Sequence, residues 1–261
     1  MSTAAAQSVV QRHPFAFSTV VVSVAGAIEL LLKVTHDLTS LHLSVLTIGI
    51  ISGAVLSLLG AATVTRLGLW GQLGLARRPT RARALLWFLP FLLYGLLPLT
   101  RGLDVSAGKA AAAVAFGVLI AFWKLVVLGL VLDALLPRGA RSGVVLAALF
   151  FAVMHLVAGI LTGAVVVPTV LFALSYAFLA FAFGAVRLRT GLLWPLVVCY
   201  ALLLAAASAV QTGQASNLVA SVADVLPPLV ISLLLAAYGL AAWPRGRTHT
   251  NEQAPAPATT T

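Results

Sequence analysis

Acidic side chains are scarce in this chain: six Asp and Glu stand against sixteen Lys and Arg in 261 residues, and charged residues of both signs make up only 8%. With 61% hydrophobic residues and a mean hydropathy of +1.09, a soluble domain of this length could not cover itself with polar surface. The single cysteine, Cys199, excludes an internal disulfide. Its place inside an apolar run makes it a packing residue rather than a reactive thiol. The shortage of acid leaves a formal net charge of +10. In a soluble protein that balance would point to nucleic acid. Here the arginines flank apolar runs, where they meet anionic lipid, so the bilayer is the expected partner and nucleic acid is not.

Apolar sequence in long runs is what the chain has in abundance. Eight stretches approach the ~20 residues that a helix needs to cross ~30 Å of hydrocarbon: 14–34, 43–64, 84–99, 110–136, 143–161, 166–186, 192–210 and 226–243. Such runs are too long for barrel strands, and backbone groups in lipid must be satisfied within the segment, so the expected fold is an all-α transmembrane bundle of about eight spans. Arg12, then Arg66, Arg77, Arg78, Arg81 and Arg83, then Arg138 and Arg141, then Arg187 and Arg189, then Arg245 and Arg247 all fall in alternate gaps. Only Lys33, Arg101 and Lys109 fall on the other side, with Lys124 inside a span. The positive-inside rule then makes both termini cytoplasmic. The first run continues through Ile28 to Leu32, past the 7–15 apolar residues of a cleaved signal, and so reads as a span.

The expected organisation is a cytoplasmic N-terminus (1–13), three spans (14–109), a four-span core (110–210), a last span (226–243) and a disordered tail (244–261). Within 66–83, Leu67, Leu69, Trp70, Leu73 and Leu75 precede Arg77, Arg78, Arg81 and Arg83, the pattern of a segment lying on the inner leaflet. Abundant Ala, Val, Leu and Arg beside three Lys point to a bacterial plasma membrane.

Ionisable groups inside spans are costly, and each is a functional candidate. There are four: Glu29, Lys124, Asp133 and His155. At 1.5 Å per residue Glu29 lies about 22 Å deep, Lys124 and His155 about 21 Å, and Asp133 about 8 Å. Glu29 can pair with Lys33 on its own helix face or with Lys124 across spans. Asp133 follows Lys124 by nine residues and faces the opposite way. Pro137 ends that span, and Arg138 stands five residues beyond Asp133, close enough for a local ion pair.

In order, these segments resemble the CAAX protease and bacteriocin-processing family of intramembrane endopeptidases. That family carries Glu-Glu-x-x-x-Arg, usually ending Phe-Arg-Gly, then Phe-x-x-x-His, then His-x-x-x-Asn. Here the first reads Asp133-Ala134-Leu135-Leu136-Pro137-Arg138-Gly139 and the second is intact from Phe151 to His155. The run Gly184-Ala185-Val186-Arg187-Leu188-Arg189-Thr190-Gly191-Leu192-Leu193-Trp194-Pro195 is similar to the stretch that precedes the third motif, where Tyr200 and Leu204 replace His and Asn. The likeness covers roughly 110–210.

The resemblance implies an endopeptidase, needing no cofactor, that cuts a peptide or protein, lipidated or not, at the cytoplasmic side. Asp133 would be the general base, His155 its partner, Arg138 the group orienting the carboxylate, and Tyr200 a substitute oxyanion donor. The departures weaken that implication. Asp shortens the base's reach, and a 1 Å misplacement costs on the order of 100-fold. Leu204 cannot donate a hydrogen bond, and losing one oxyanion donor costs about 10²–10³ in kcat. A very slow protease or none is expected, and the alternative is a non-catalytic binding or self-immunity protein of the membrane. Metal catalysis is disfavoured, since Asp133 and His155 supply two ligands where zinc usually takes three. A transporter is disfavoured because no inverted pair of broken helices is visible.

Overall fold

The computed structural model describes residues 12–38, 44–79, 81–102, 105–161, 164–210 and 221–243; the side chains of Glu29, residues 32–38, Val45 and Arg101 are outside that description. The segments 1–11, 211–220 and 244–261, which hold most of the expected cytoplasmic N-terminus and the tail, likewise lie outside the described residues. Described residues form helices and turns, with no strand among them.

Eight helices follow one another: α1 Pro14–Leu38, α2 Val45–Leu67, α3 Leu89–Leu96, α4 Ala107–Leu135, α5 Ala140–Leu161, α6 Val166–Thr190, α7 Trp194–Val210 and α8 Val222–Ala241. The short α3 is extended at both ends by 3₁₀ turns, Ala82–Phe88 and Leu97–Arg101. Among the described residues six helical stretches are long and apolar enough to cross a membrane: Leu46–Leu67, Ala82–Thr100, Ala107–Arg138, Ala140–Leu161, Val166–Thr190 and Val222–Ala241. Pro14–Ile28 and Trp194–Val210 are shorter apolar helices. Six spans among the described residues thus stand where eight were expected. At the α6–α7 junction Gly191, Leu192 and Leu193 form a turn, so α7 begins at Trp194.

The bundle is built around α4. Trp123, Leu125, Val126, Leu132 and Leu135 are almost wholly buried, with α1, α2, α5 and α7 packed about them, while α6 lies between α5 and α8. Small residues let backbones meet where hydrophobic force between helices is absent. A side chain on Gly117 would strike the carbonyl of Ala201, and one on Gly239 would come within 3.1 Å of the Ala182 backbone. The outer surface is the reverse of a soluble protein's. Leu58, Leu86, Val153, Val170, Leu234 and Leu240 stand exposed, the continuous apolar coat that lipid requires.

One end of the bundle gathers the arginines. Arg138 lies over Phe15 at the start of α1, 4.2 Å from its ring centre. Arg189 lies over Trp87 at 4.3 Å and donates to the carbonyl of Ala242, just past α8. The start of α1 and the end of α8 therefore share this end.

Residues 68–79, within the segment expected on the inner leaflet, form a tight coil. Gly68 turns α2 off in a left-handed conformation (φ 66°), and Leu73 N–H and Leu75 N–H return to Leu69 and Trp70 carbonyls in a tight coil. Leu73 is fully buried beneath it. Gly74, at φ 77°, presses on the α6–α7 turn so closely that a side chain there would collide with the Gly191 carbonyl. Its own carbonyl accepts from Leu193 N–H (3.0 Å) and Trp194 N–H (3.4 Å), satisfying donors that a helix start otherwise leaves orphaned. The Arg-Thr-Gly-Leu-Leu-Trp-Pro run thus has a structural reading. Thr190 Oγ1 bridges Val186 O and Leu192 N–H, Gly191 caps α6 at φ 68°, and Trp194-Pro195 opens α7.

Candidate functional site

Asp133 and His155 belong to two separate polar clusters, at different depths on different faces of α4. Asp133 sits two residues before the end of α4 and accepts a 2.6 Å hydrogen bond at Oδ1 from Arg187 Nη2. This is the ion pair found among the described residues. The same guanidinium donates from Nη1 to Gly129 O (3.1 Å) and from Nη2 to Gln72 O (3.4 Å), so it ties α6 to α4 and to the 68–79 coil. Both side chains are largely buried, at 7% and 14% exposure for Arg187 and Asp133. Asp133 Oδ2 is buried and has no hydrogen-bond partner. Beside the pair opens a pocket of about 450 Å³ whose lining includes Gln72, Arg77, Asp133, Pro137, Arg187 and Leu188.

His155 is held deeper, between α4, α5 and α6. Its Nδ1 is 2.8 Å from Phe151 O one turn back. A carbonyl can only accept, so Nδ1 carries the proton and Nε2 offers its lone pair. That lone pair takes Lys124 Nζ at 3.0 Å. Tyr176 stacks on the imidazole, centroids 3.7 Å apart and 14° between planes, with Phe151 on another side at 4.9 Å. The Lys124 ammonium also lies 5.3 Å from the Tyr176 ring and 5.6 Å from Trp123, both within cation–π range. Trp123 Nε1 is buried without a partner.

The structure therefore does not bring Asp133 and His155 together. Nine residues of α4 separate Asp133 from Lys124, which is about 13 Å along the axis and half a turn around it. Arg138 is corrected as the group orienting the carboxylate. The 3₁₀ turn Leu136–Arg138 and Gly139 at φ 112° send its side chain to Phe15, and Arg187 holds Asp133 instead. Tyr200 is buried in the core and meets Phe183 edge-on at 5.6 Å, in neither cluster. The expected pairing of Glu29 with Lys33 or Lys124 rests on the Glu29 and Lys33 side chains, which lie outside the described residues. Among the described residues no group of three or more His, Cys, Asp or Glu converges.

Sequence reasoning missed Arg187 as a partner, counting it with the arginines of the inner face. A signal was present: a lone carboxylate near one helix end needs a cation from another helix end at equal depth, and Arg187 stands three residues before the end of α6. No protein family, curated protein or solved structure matches the chain.

Proposed function

We propose that the chain is a non-proteolytic membrane protein related in architecture to the CAAX-protease bundle, whose core holds a membrane partner, a protein or a lipidated peptide, rather than cutting it. One observation carries the reading: the imidazole that a hydrolase would set beside its catalytic carboxylate instead accepts from Lys124, a cation where the carboxylate was expected. An imidazole with one nitrogen protonated and the other spent on Lys124 cannot take a proton from water. By the positive-inside rule the arginine end faces the cytoplasm of a bacterial plasma membrane.

A second reading, a slow peptidase centred on Asp133, is favoured by that residue's place on an open pocket with one oxygen unpartnered. The purified chain in lipid nanodiscs, incubated with free and prenylated peptide libraries and followed by mass spectrometry, decides between them. Under the binding reading the product list equals that of His155→Ala and Asp133→Asn. Products that disappear in His155→Ala or in Asp133→Asn overturn it.

A further inference from the structure

The pocket beside Asp133 has a chemistry of its own, independent of whether the chain cuts peptides. Its depth is that of lipid headgroups. Asp133 and Arg187 stand within about 5 Å of the ends of α4 and α6. Trp87 beneath Arg189, Trp243 just past α8 and Trp194 at the start of α7 stand at the same end of the bundle, as tryptophans do at a membrane interface. Its charge is balanced but incompletely satisfied. Arg187 is committed to Asp133 Oδ1 and to two carbonyls, while Oδ2, a pure acceptor, has no donor. Arg77, also on the lining, is exposed, its guanidinium against Gly191, with no carboxylate on it among the described residues. A fitting ligand therefore brings a hydrogen-bonding cation for the acid and an anion for the arginine. Leu136, Pro137 and Leu188 supply apolar lining between them, and about 450 Å³ is within the range of small-molecule sites.

We propose that this pocket binds a phosphodiester bearing a primary amine, the headgroup of phosphatidylethanolamine, with the ammonium donating to the Asp133 carboxylate and the phosphate resting on Arg77. The three N–H groups of a primary ammonium are what distinguish it. A phosphatidylcholine headgroup has none, and a phosphatidylglycerol headgroup has no cation for the acid. A soluble glycerophosphoethanolamine shares the chemistry and differs only in source.

The test is native mass spectrometry of the full chain released from nanodiscs of mixed phosphatidylethanolamine, phosphatidylcholine and phosphatidylglycerol. Phosphatidylethanolamine is expected to be retained over the other two. Its retention should fall about tenfold or more in Arg77→Ala, the loss of a charge-assisted contact, and recover in part in Arg77→Lys. Leu188→Trp, which fills the pocket and removes no charged group, should abolish it. These variants leave the Asp133–Arg187 pair intact, and circular dichroism checks that the fold persists. Binding of glycerophosphoethanolamine to the chain in lipid-free detergent, competing with the lipid and lost in the same variants, supports the site with a soluble source. Equal retention of all three lipids, or phosphatidylethanolamine retention unchanged in both Arg77→Ala and Leu188→Trp, overturns the proposal.

Discussion

The two polar clusters on α4 handle charge in opposite ways. Near the arginine end, Asp133 and Arg187 neutralise each other and join three parts of the chain that are far apart in sequence. In the interior, the described groups against Lys124 are neutral: an imidazole nitrogen and two aromatic faces. The first arrangement is a structural clamp with one acceptor to spare. The second sets a lysine among groups that favour a cation by dipole and quadrupole. The difference teaches that an ionisable residue inside a span is not by itself a reacting group. Its partners decide whether it can exchange a proton.

Substitutions can break or sharpen that contrast. Arg187→Ala should be the most damaging. It leaves a buried carboxylate unpaired and strips two carbonyls of a donor, for a loss of about 3–5 kcal/mol, read as a fall in thermal midpoint in detergent. A loss below about 1 kcal/mol would mean that the pair is solvated. Gly74→Ala should follow, at more than about 1 kcal/mol, because an alanine at positive φ is strained and its side chain meets Gly191. Wild-type stability there would show that the coil detaches easily.

Arg138→Ala should cost about 0.5–1 kcal/mol, the worth of an exposed cation–π contact. A loss as large as that of Arg187→Ala would return Arg138 to the carboxylate. Lys124→Met should change stability least, within about 1 kcal/mol. Relief from burying a charge offsets the orphaned His155 Nε2. A loss of about 3 kcal/mol or more would reveal an anionic partner for the lysine and erase the contrast between the clusters.

Much of the fold was legible in the sequence because hydropathy and arginine placement act locally. Each apolar run had to be a helix in lipid, and the alternation of arginines put the start of α1 and the end of α8 on one side of the bundle. The start of α7 was not legible. Gly191-Leu192-Leu193 form a turn whose Leu193 and Trp194 amides are received by Gly74, which lies far away in the chain. The coil over residues 68–79 misled for a similar reason. Leu73 looked like one apolar tooth of a surface segment, and only its seat under α4 shows it to be core. Asp133 and His155 were found by residue type, yet their partners were not, since each partner is set by helix rotation and depth rather than by spacing along the chain.

The contact between Gln72 and Arg187 spans 115 residues. A ribosome adding about 5–20 residues per second reaches Arg187 on the order of ten seconds after it has made Gln72. Throughout that interval the Gly74 carbonyl has no amide to receive, since Leu193 and Trp194 are made later still. Docking of this strap is therefore a late event in biogenesis, and until it happens the nascent protein presents an unfinished surface to insertion factors and proteases.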